Sequence, residues 1–276
     1  KELASLADIY VNDAFGSWQP HVSTARIVEH IPSRAGMLLQ SEINNLEKVL
    51  HPDRPFLAAV AGAKFDTKIE PLKSIFKLSD HLILGGIIYN AYLSAKYGFK
   101  INGVGEDDIE AAKNFIEYTE QFESKLIEPP FIIESDTLEG KEEGKYRVRD
   151  IRELPEGAEL NYVLDVDPKS FEDSFIRDKF RNAENIFVNA VMGLSPHFLD
   201  GTEAMYKLID QNNDAYKMYG GGDTLQELKN LLPGIYLEAI NSPRYKLFTG
   251  GGAVLKAIQE QSPYGLPPVK AMIESK

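Results

Sequence analysis

Lys64 and Lys68 are the residues of this sequence best suited to do chemistry. They stand four apart behind Gly62-Ala63, so both ammonium groups share one face of a helix that begins near Phe65. Lysines at a helix N-terminus oppose the macrodipole, and surface stability alone does not favour the pair. Phosphoryl transfer does, because negative charge spreads over the phosphoryl oxygens in the transition state. The corner that carries Gly62 is an apolar run ending in glycine with a helical pattern behind it. Three more corners repeat this: Leu84-Gly85-Gly86, Tyr219-Gly220-Gly221-Gly222-Asp223-Thr224 and Phe248-Thr249-Gly250-Gly251-Gly252-Ala253. Glycine lets a ligand approach the main chain, and free N–H groups at a helix start attract anions. Four such corners, two with triple glycine, point to a phosphate-bearing ligand.

Asp223 follows three glycines at a helix start. It either caps that helix or holds Mg²⁺, directly or through water, with phosphate oxygens completing the shell. Thr224 likewise either caps or touches phosphate. Other chemistries lack their residues. There is no cysteine, which excludes disulfides, thiolate metal sites and a cysteine nucleophile. The five histidines have no metal-ligand spacing. There is no P-loop, and Gly103-Val104-Gly105 runs on into acidic residues. Gly193-Leu194-Ser195-Pro196-His197 fails the nucleophile-elbow pattern at its last position.

The elements that must position these corners are legible as an alternation. Apolar runs at 56–60, 82–84, 131–133, 162–164, 186–188, 216–219 and 245–248 are about as long as buried strands. Ile69, Leu72, Ile75 and Phe76 share one helical face, as do Leu225, Leu228, Leu231 and Leu232, before a stop at Pro233-Gly234. Strand–helix repetition of this kind gives a parallel sheet covered by helices on both faces. Residues 37–50 read as one amphipathic helix with Met37, Leu38, Ile43, Leu46, Val49 and Leu50 apolar, stopped by His51-Pro52. The charged stretch 139–152 reads as a solvated hairpin or excursion. Residues 1–36 hold a helix start, one strand (Ile9-Tyr10-Val11) and irregular chain, too little for a domain, so a boundary falls near residue 36. The chain starts at Lys1 in mid-pattern without Met, which reads as part of something longer.

Composition sets the outer limits. The chain has 276 residues, 43% apolar and 26% charged, which is ordinary globular usage. The formal net charge of −12 argues against a nucleic-acid partner. No apolar run approaches the ~18 residues of a membrane span, and the protein reads as cytoplasmic with no membrane partner.

Together these corners resemble phosphoglycerate kinases along nearly the whole chain. Tyr10-Val11-Asn12-Asp13-Ala14-Phe15-Gly16 resembles the segment closing that family's N-terminal domain. Arg54-Pro55-Phe56, Gly62-Ala63-Lys64 and Lys68-Ile69 resemble its strand–turn–helix with two phosphate-facing lysines. Leu84-Gly85-Gly86 resembles the glycines beside the adenine. Asn189, Met192 and Gly193 match parts of a WNGPMG-like segment. Gly220 to Thr224 and Thr249 to Ala253 match its GGGDT and TGGGA turns, the most specific signals here.

The resemblance implies a Rossmann-like three-layer α/β/α domain with a mostly parallel sheet, of the family's C-terminal type. It divides the chain into 1–36, the remnant of an N-terminal substrate domain; 37–50, an interdomain helix; and 51–276, the nucleotide-binding domain. The last ~10 residues would return to the first domain. It implies a reversible kinase reaction between 1,3-bisphosphoglycerate and ADP, giving 3-phosphoglycerate and ATP, with Mg²⁺ carried by the nucleotide, in a monomer. Lys68 and Lys64 would be catalytic. Gly62, Lys68, Gly85, Gly86, Asn189, Gly220, Gly221, Gly222, Asp223, Thr224, Gly250, Gly251 and Gly252 would bind nucleotide, with Asp223 toward the metal. 3-Phosphoglycerate would bind through the missing N-terminal domain.

The departures are selective. In an ungapped alignment Pro20 stands where the family has a phosphoglycerate-binding Arg, and His21 or Arg26 would substitute only with a shift. Asp167 replaces a glycine near the nucleotide base, which would set a carboxylate beside an anionic ligand. Pro196 replaces the ribose-binding Glu and has no side-chain acceptor. These changes keep open a second reading, a catalytically silent homologue that binds nucleotide weakly or acts as a scaffold.

Overall fold

The computed structural model describes residues 1–63, 65, 69–122 and 125–275. The chain opens with β1 (Tyr10–Asn12), a π-turn (Val22–Arg26) and β2 (Ser33–Ala35). Then follow α1 (Met37–Leu50), β3 (Phe56–Gly62), α2 (Ile69–Leu78), β4 (His81–Gly85), α3 (Gly86–Tyr97), β5 (Lys100–Ile101), α4 (Glu106–Thr119) and β6 (Leu126–Ile127). Next come β7 (Phe131–Ser135), β8 (Tyr146–Asp150), β9 (Glu159–Leu160), β10 (Tyr162–Val166) and α5 (Ser174–Arg181). The last part holds β11 (Asn185–Asn189), α6 (Asp200–Asp210), β12 (Tyr216–Gly220), α7 (Gly222–Leu231), α8 (Pro233–Asn241), β13 (Tyr245–Phe248), α9 (Gly251–Glu260) and α10 (Pro267–Glu274).

Six strands form one parallel sheet in the order β13-β12-β11-β3-β4-β6. Phe56 to Ala61 are all buried, as expected of a central strand with both faces covered. The chain starts in the middle at β3, winds outward through β4 and β6, then returns to β11 and winds the other way. The direction of winding therefore reverses between β3 and β11, and a crevice opens outside the strand ends at such a point. α2 packs on α9 and α4, while α5, α6, α7 and α8 pack in their own series, so the fold is the expected three-layer α/β architecture.

The helix expected over 37–50 forms with those limits. Its inward face differs: Leu39 and Glu42 are buried, whereas Met37 is 86% exposed and Leu38 is also exposed. The helical period through Leu39, Ile43, Leu46 and Leu50 turns Met37 and Leu38 outward. Two apolar runs leave the main sheet. Residues 131–133 and 162–164 lie in a separate antiparallel sheet, β10-β7-β8. The charged stretch supplies β8 as a hairpin partner, and Arg147 reaches across to hold the Glu134 carboxylate with two hydrogen bonds of 2.9 and 2.7 Å. Strands β2 and β6 and helix α8 were too short or too weakly patterned to be expected from the sequence. β1 and β2 pair in parallel, and α10 packs against β2 and the π-turn. Phe15, Ile27 and Val28 share one hydrophobic core with the strands of the main sheet. Among the described residues, no helix is long and apolar enough to cross a membrane.

Candidate functional site

A cleft of about 700 Å³ opens where the winding reverses. The ends of β3, β4, β11 and β12 feed it: Gly62 and Ala63, Gly86, Asn189, and Gly221 through Thr224 all line it. Ile87, Leu138, Tyr162, Leu164 and Leu194 give it an apolar side, and Ser195, Gln226 and Glu227 a polar one. Three of the four glycine corners thus meet in one cavity.

The third corner is the most exacting. Gly221 has φ +114° and immediately precedes α7, and among the described residues no side chain caps the first-turn N–H groups. A Cβ at Gly221 would stand 2.7 Å from the Asn189 amide nitrogen, which itself donates to the Gly220 carbonyl. Asn189 therefore ties the end of β11 to the end of β12. Gly222 faces open space. Asp223 is exposed in the first turn and Thr224 is buried, and neither caps the helix. The capping alternatives for these two residues are thereby set aside. The exposed Asp223 carboxylate fits Mg²⁺ shared with phosphate oxygens, while the uncapped N–H groups fit the phosphates themselves. Among the described residues no group of three or more His, Cys, Asp or Glu is placed to hold a metal by protein ligands alone.

Lys64 and Lys68 lie outside the described residues. Beside them, the Phe65 N–H donates to Asp108 of α4 at 2.6 Å, which fixes the base of that corner. At the second corner, Gly85 does not line the cleft; a Cβ there would meet the Met192 sulfur at 2.7 Å. The Gly86 N–H donates to the Met192 carbonyl, so Gly86 offers the cleft its surface and not its amide. Gly220 packs beneath the cleft against Phe187, Phe248 and Gly251.

The fourth corner does not line the cavity. A Cβ at Gly251 would come within 2.7 Å of the Gly221 Cα, so the two triple-Gly turns lie back to back. Gly250 abuts Gly16, and a Cβ on Gly252 would meet the Trp18 indole nitrogen at 2.8 Å. The segment that carries Pro20 thus covers this turn with an aromatic ring, that of Trp18. Glu42 of α1 holds the same turn through Thr249.

Two departures change meaning in three dimensions. Asp167 does not line the cleft; its carboxylate accepts the Lys169 N–H at 2.9 Å and caps a 3-10 turn. The Asp167 carboxylate is therefore engaged by a local backbone N–H, away from the residues that line the cleft. Pro196 is likewise not a wall residue, but Glu227 is. Its carboxylate takes the Ser195 hydroxyl at 2.7 Å. Burial, reinforced by the Glu227 charge, pushes the neighbouring Tyr206 hydroxyl well above its usual range. Glu227 belongs to no motif in the sequence, and its one signal is a place four residues beyond Asp223 on an expected helix.

A family model described as phosphoglycerate kinase matches residues 1–261. The phosphoglycerate kinase of Dictyoglomus turgidum is 31% identical over 265 residues, covering 94% of this chain and 63% of that protein. That of Moorella thermoacetica is 31% identical over 279 aligned positions, covering 99% of this chain and 66% of that protein. The chain therefore spans somewhat less than two thirds of the length of these relatives. The solved phosphoglycerate kinase from Coxiella burnetii superposes with a TM-score of 0.79 at 28% identity, over 99% of this chain and 67% of that one. The phosphoglycerate kinase from Pyrococcus horikoshii shares the fold, with a TM-score of 0.74 at 21% identity, over 99% of this chain and 65% of that one. Glycine corners gathered at one switch-point cleft, a family model matched over residues 1–261 and a shared fold lead to one conclusion: the chain belongs to the phosphoglycerate kinase family.

Proposed function

We propose that this chain is the nucleotide-binding part of a phosphoglycerate kinase-type phosphotransferase. The reaction is reversible transfer between 1,3-bisphosphoglycerate and ADP. A β-phosphate oxygen of ADP attacks the acyl phosphorus, the bond to the carboxyl oxygen breaks, and 3-phosphoglycerate leaves as a carboxylate, with no covalent enzyme intermediate. The convergence of three glycine corners on one cleft is the observation that carries this reading.

In it, the Gly221 to Asp223 amides hold the nucleotide phosphates and Lys68, aided by Lys64, holds the transferring phosphoryl group. Asp223 would hold Mg²⁺, which supplies charge neutralisation between phosphate oxygens. The apolar side of the cleft takes the base and excludes water. The turn at Gly250 to Gly252 serves as the backing of the Gly221 turn. The substrate domain would include residues 1–36, α1 would be the interdomain helix, and α10 would belong with the first domain. Such an enzyme works in the cytoplasm as a monomer in glycolysis.

The test is a coupled assay for ATP formation by the full-length protein and its Lys68→Ala variant. Turnover that is lost in the variant supports the assignment, and equal turnover in both refutes the role of Lys68. A specific observation favours the silent homologue as a second reading: Pro196 has no side-chain acceptor to offer a ribose. An inactive full-length protein that still binds Mg-ADP would select it.

A further inference from the structure

We propose that Glu227 is the residue by which this cleft recognises the ribose hydroxyls of its nucleotide, an inference that rests on the nucleotide reading above. Glu227 is only 8% exposed yet lines the cavity. It has no ion-pair partner among the described residues; Oε1 accepts from the Ser195 hydroxyl at 2.7 Å and Oε2 from the Asn230 amide at 3.3 Å. A carboxylate has about four acceptor sites, so each oxygen keeps capacity for one more donor. A buried carboxylate without a cation is costly unless hydrogen bonds complete its shell, and a ligand with two adjacent O–H groups would complete this one.

The position selects the kind of donor. Glu227 lies one turn beyond Asp223, about 6 Å along the axis of α7 from the uncapped amides. Through Ser195 it also touches the segment that carries Leu194 of the apolar wall. It therefore stands at the junction between the polyphosphate end and the base side. A phosphate is repelled there, and a vicinal diol fits. Pro196 cannot perform this task, so the acceptor is supplied from α7 and not from the segment after β11.

Calorimetry would compare ADP, 2′,3′-dideoxy-ADP and inosine diphosphate, each with Mg²⁺, on the unaltered protein and on Glu227→Gln, with Glu227→Ala as a second variant and thermal unfolding as the fold control. The unaltered protein should prefer ADP over the dideoxy analogue by about tenfold or more, and both variants should reduce that preference to within about twofold. Dideoxy-ADP affinity should hardly change. An unaltered protein that binds ADP and its dideoxy analogue equally, or variants that keep the preference, would overturn the assignment. Loss of discrimination against inosine diphosphate in its place would move Glu227 to the base amine and also overturn it. Failure of the unaltered protein to bind any of these at millimolar concentration would defeat the nucleotide reading itself.

Discussion

The Glu42 carboxylate on α1 accepts both the backbone N–H and the hydroxyl of Thr249, each at 3.1 Å, from a position with no solvent exposure. One side chain therefore couples α1 to the turn that backs the cleft, and Lys246 stands 3.7 Å away as its nearest cation. Glu42→Ala leaves the Thr249 donors without their acceptor and Lys246 without its ion-pair partner, and opens a cavity. A loss of about 2–4 kcal/mol in urea-unfolding stability is expected. Glu42→Gln keeps one acceptor and should lose less.

The glycines of the two triple-Gly turns should separate by role. Gly222→Ala adds a methyl to open space, so stability should stay within about 0.5 kcal/mol while Mg-ADP affinity falls. Gly251→Ala drives a methyl to 2.7 Å from the Gly221 Cα and should destabilise by about 1–3 kcal/mol. Paired unfolding and binding measurements would show the contrast, and equal behaviour of the two variants would contradict it.

Trp18 is the only tryptophan and lies against Gly252 at the start of α9. A phosphate group that reaches that helix start must displace the indole. Intrinsic emission should therefore stay unchanged when Mg-ADP occupies the α7 side, and a shift on Mg-ADP binding would contradict the backing role of this turn.

Asp165 gives a pH signature. Burial pushes its carboxyl up to about 8, against the opposing effect of N–H donors from Gly201 and Val166. The folded value thus exceeds the unfolded one, near 3.9. Between about pH 4 and pH 8 the folded form binds the extra proton, so this contribution is fully present below pH 4 and is lost as pH rises through 8. Asp165 should lower the unfolding free energy measured in urea over that window, with a slope of up to about 1.4 kcal/mol per pH unit from this group. Asp165→Asn should flatten it.

Much of the fold was legible because its signals are local. The strands at 56, 82 and 186 read as apolar runs, those at 216 and 245 as apolar runs broken by a single lysine, and the glycine corners sit where a strand hands over to a helix. The separate antiparallel sheet was not, since residues 131–133 and 162–164 look as apolar as the central strands. What sets them apart is tertiary: antiparallel pairing with each other and with β8, with Arg147 and Arg149 reaching across to Glu134. At the cleft, backbone corners announced themselves through glycine. Glu227 and Ser195 did not, because an acidic residue on a helix and a serine after a leucine carry no pattern until the chain brings them together. Asp167 misled for the converse reason: its type suggested a ligand contact, while its carboxylate is used by the Lys169 N–H two residues on.

The account depends on the α7 amide end being a seat for nucleotide phosphates. Titration of the protein with ADP in a calorimeter, with and without Mg²⁺, tests this most directly. Micromolar binding that weakens when Mg²⁺ is withdrawn is the predicted result, and no binding at millimolar ADP in the presence of Mg²⁺ would contradict it.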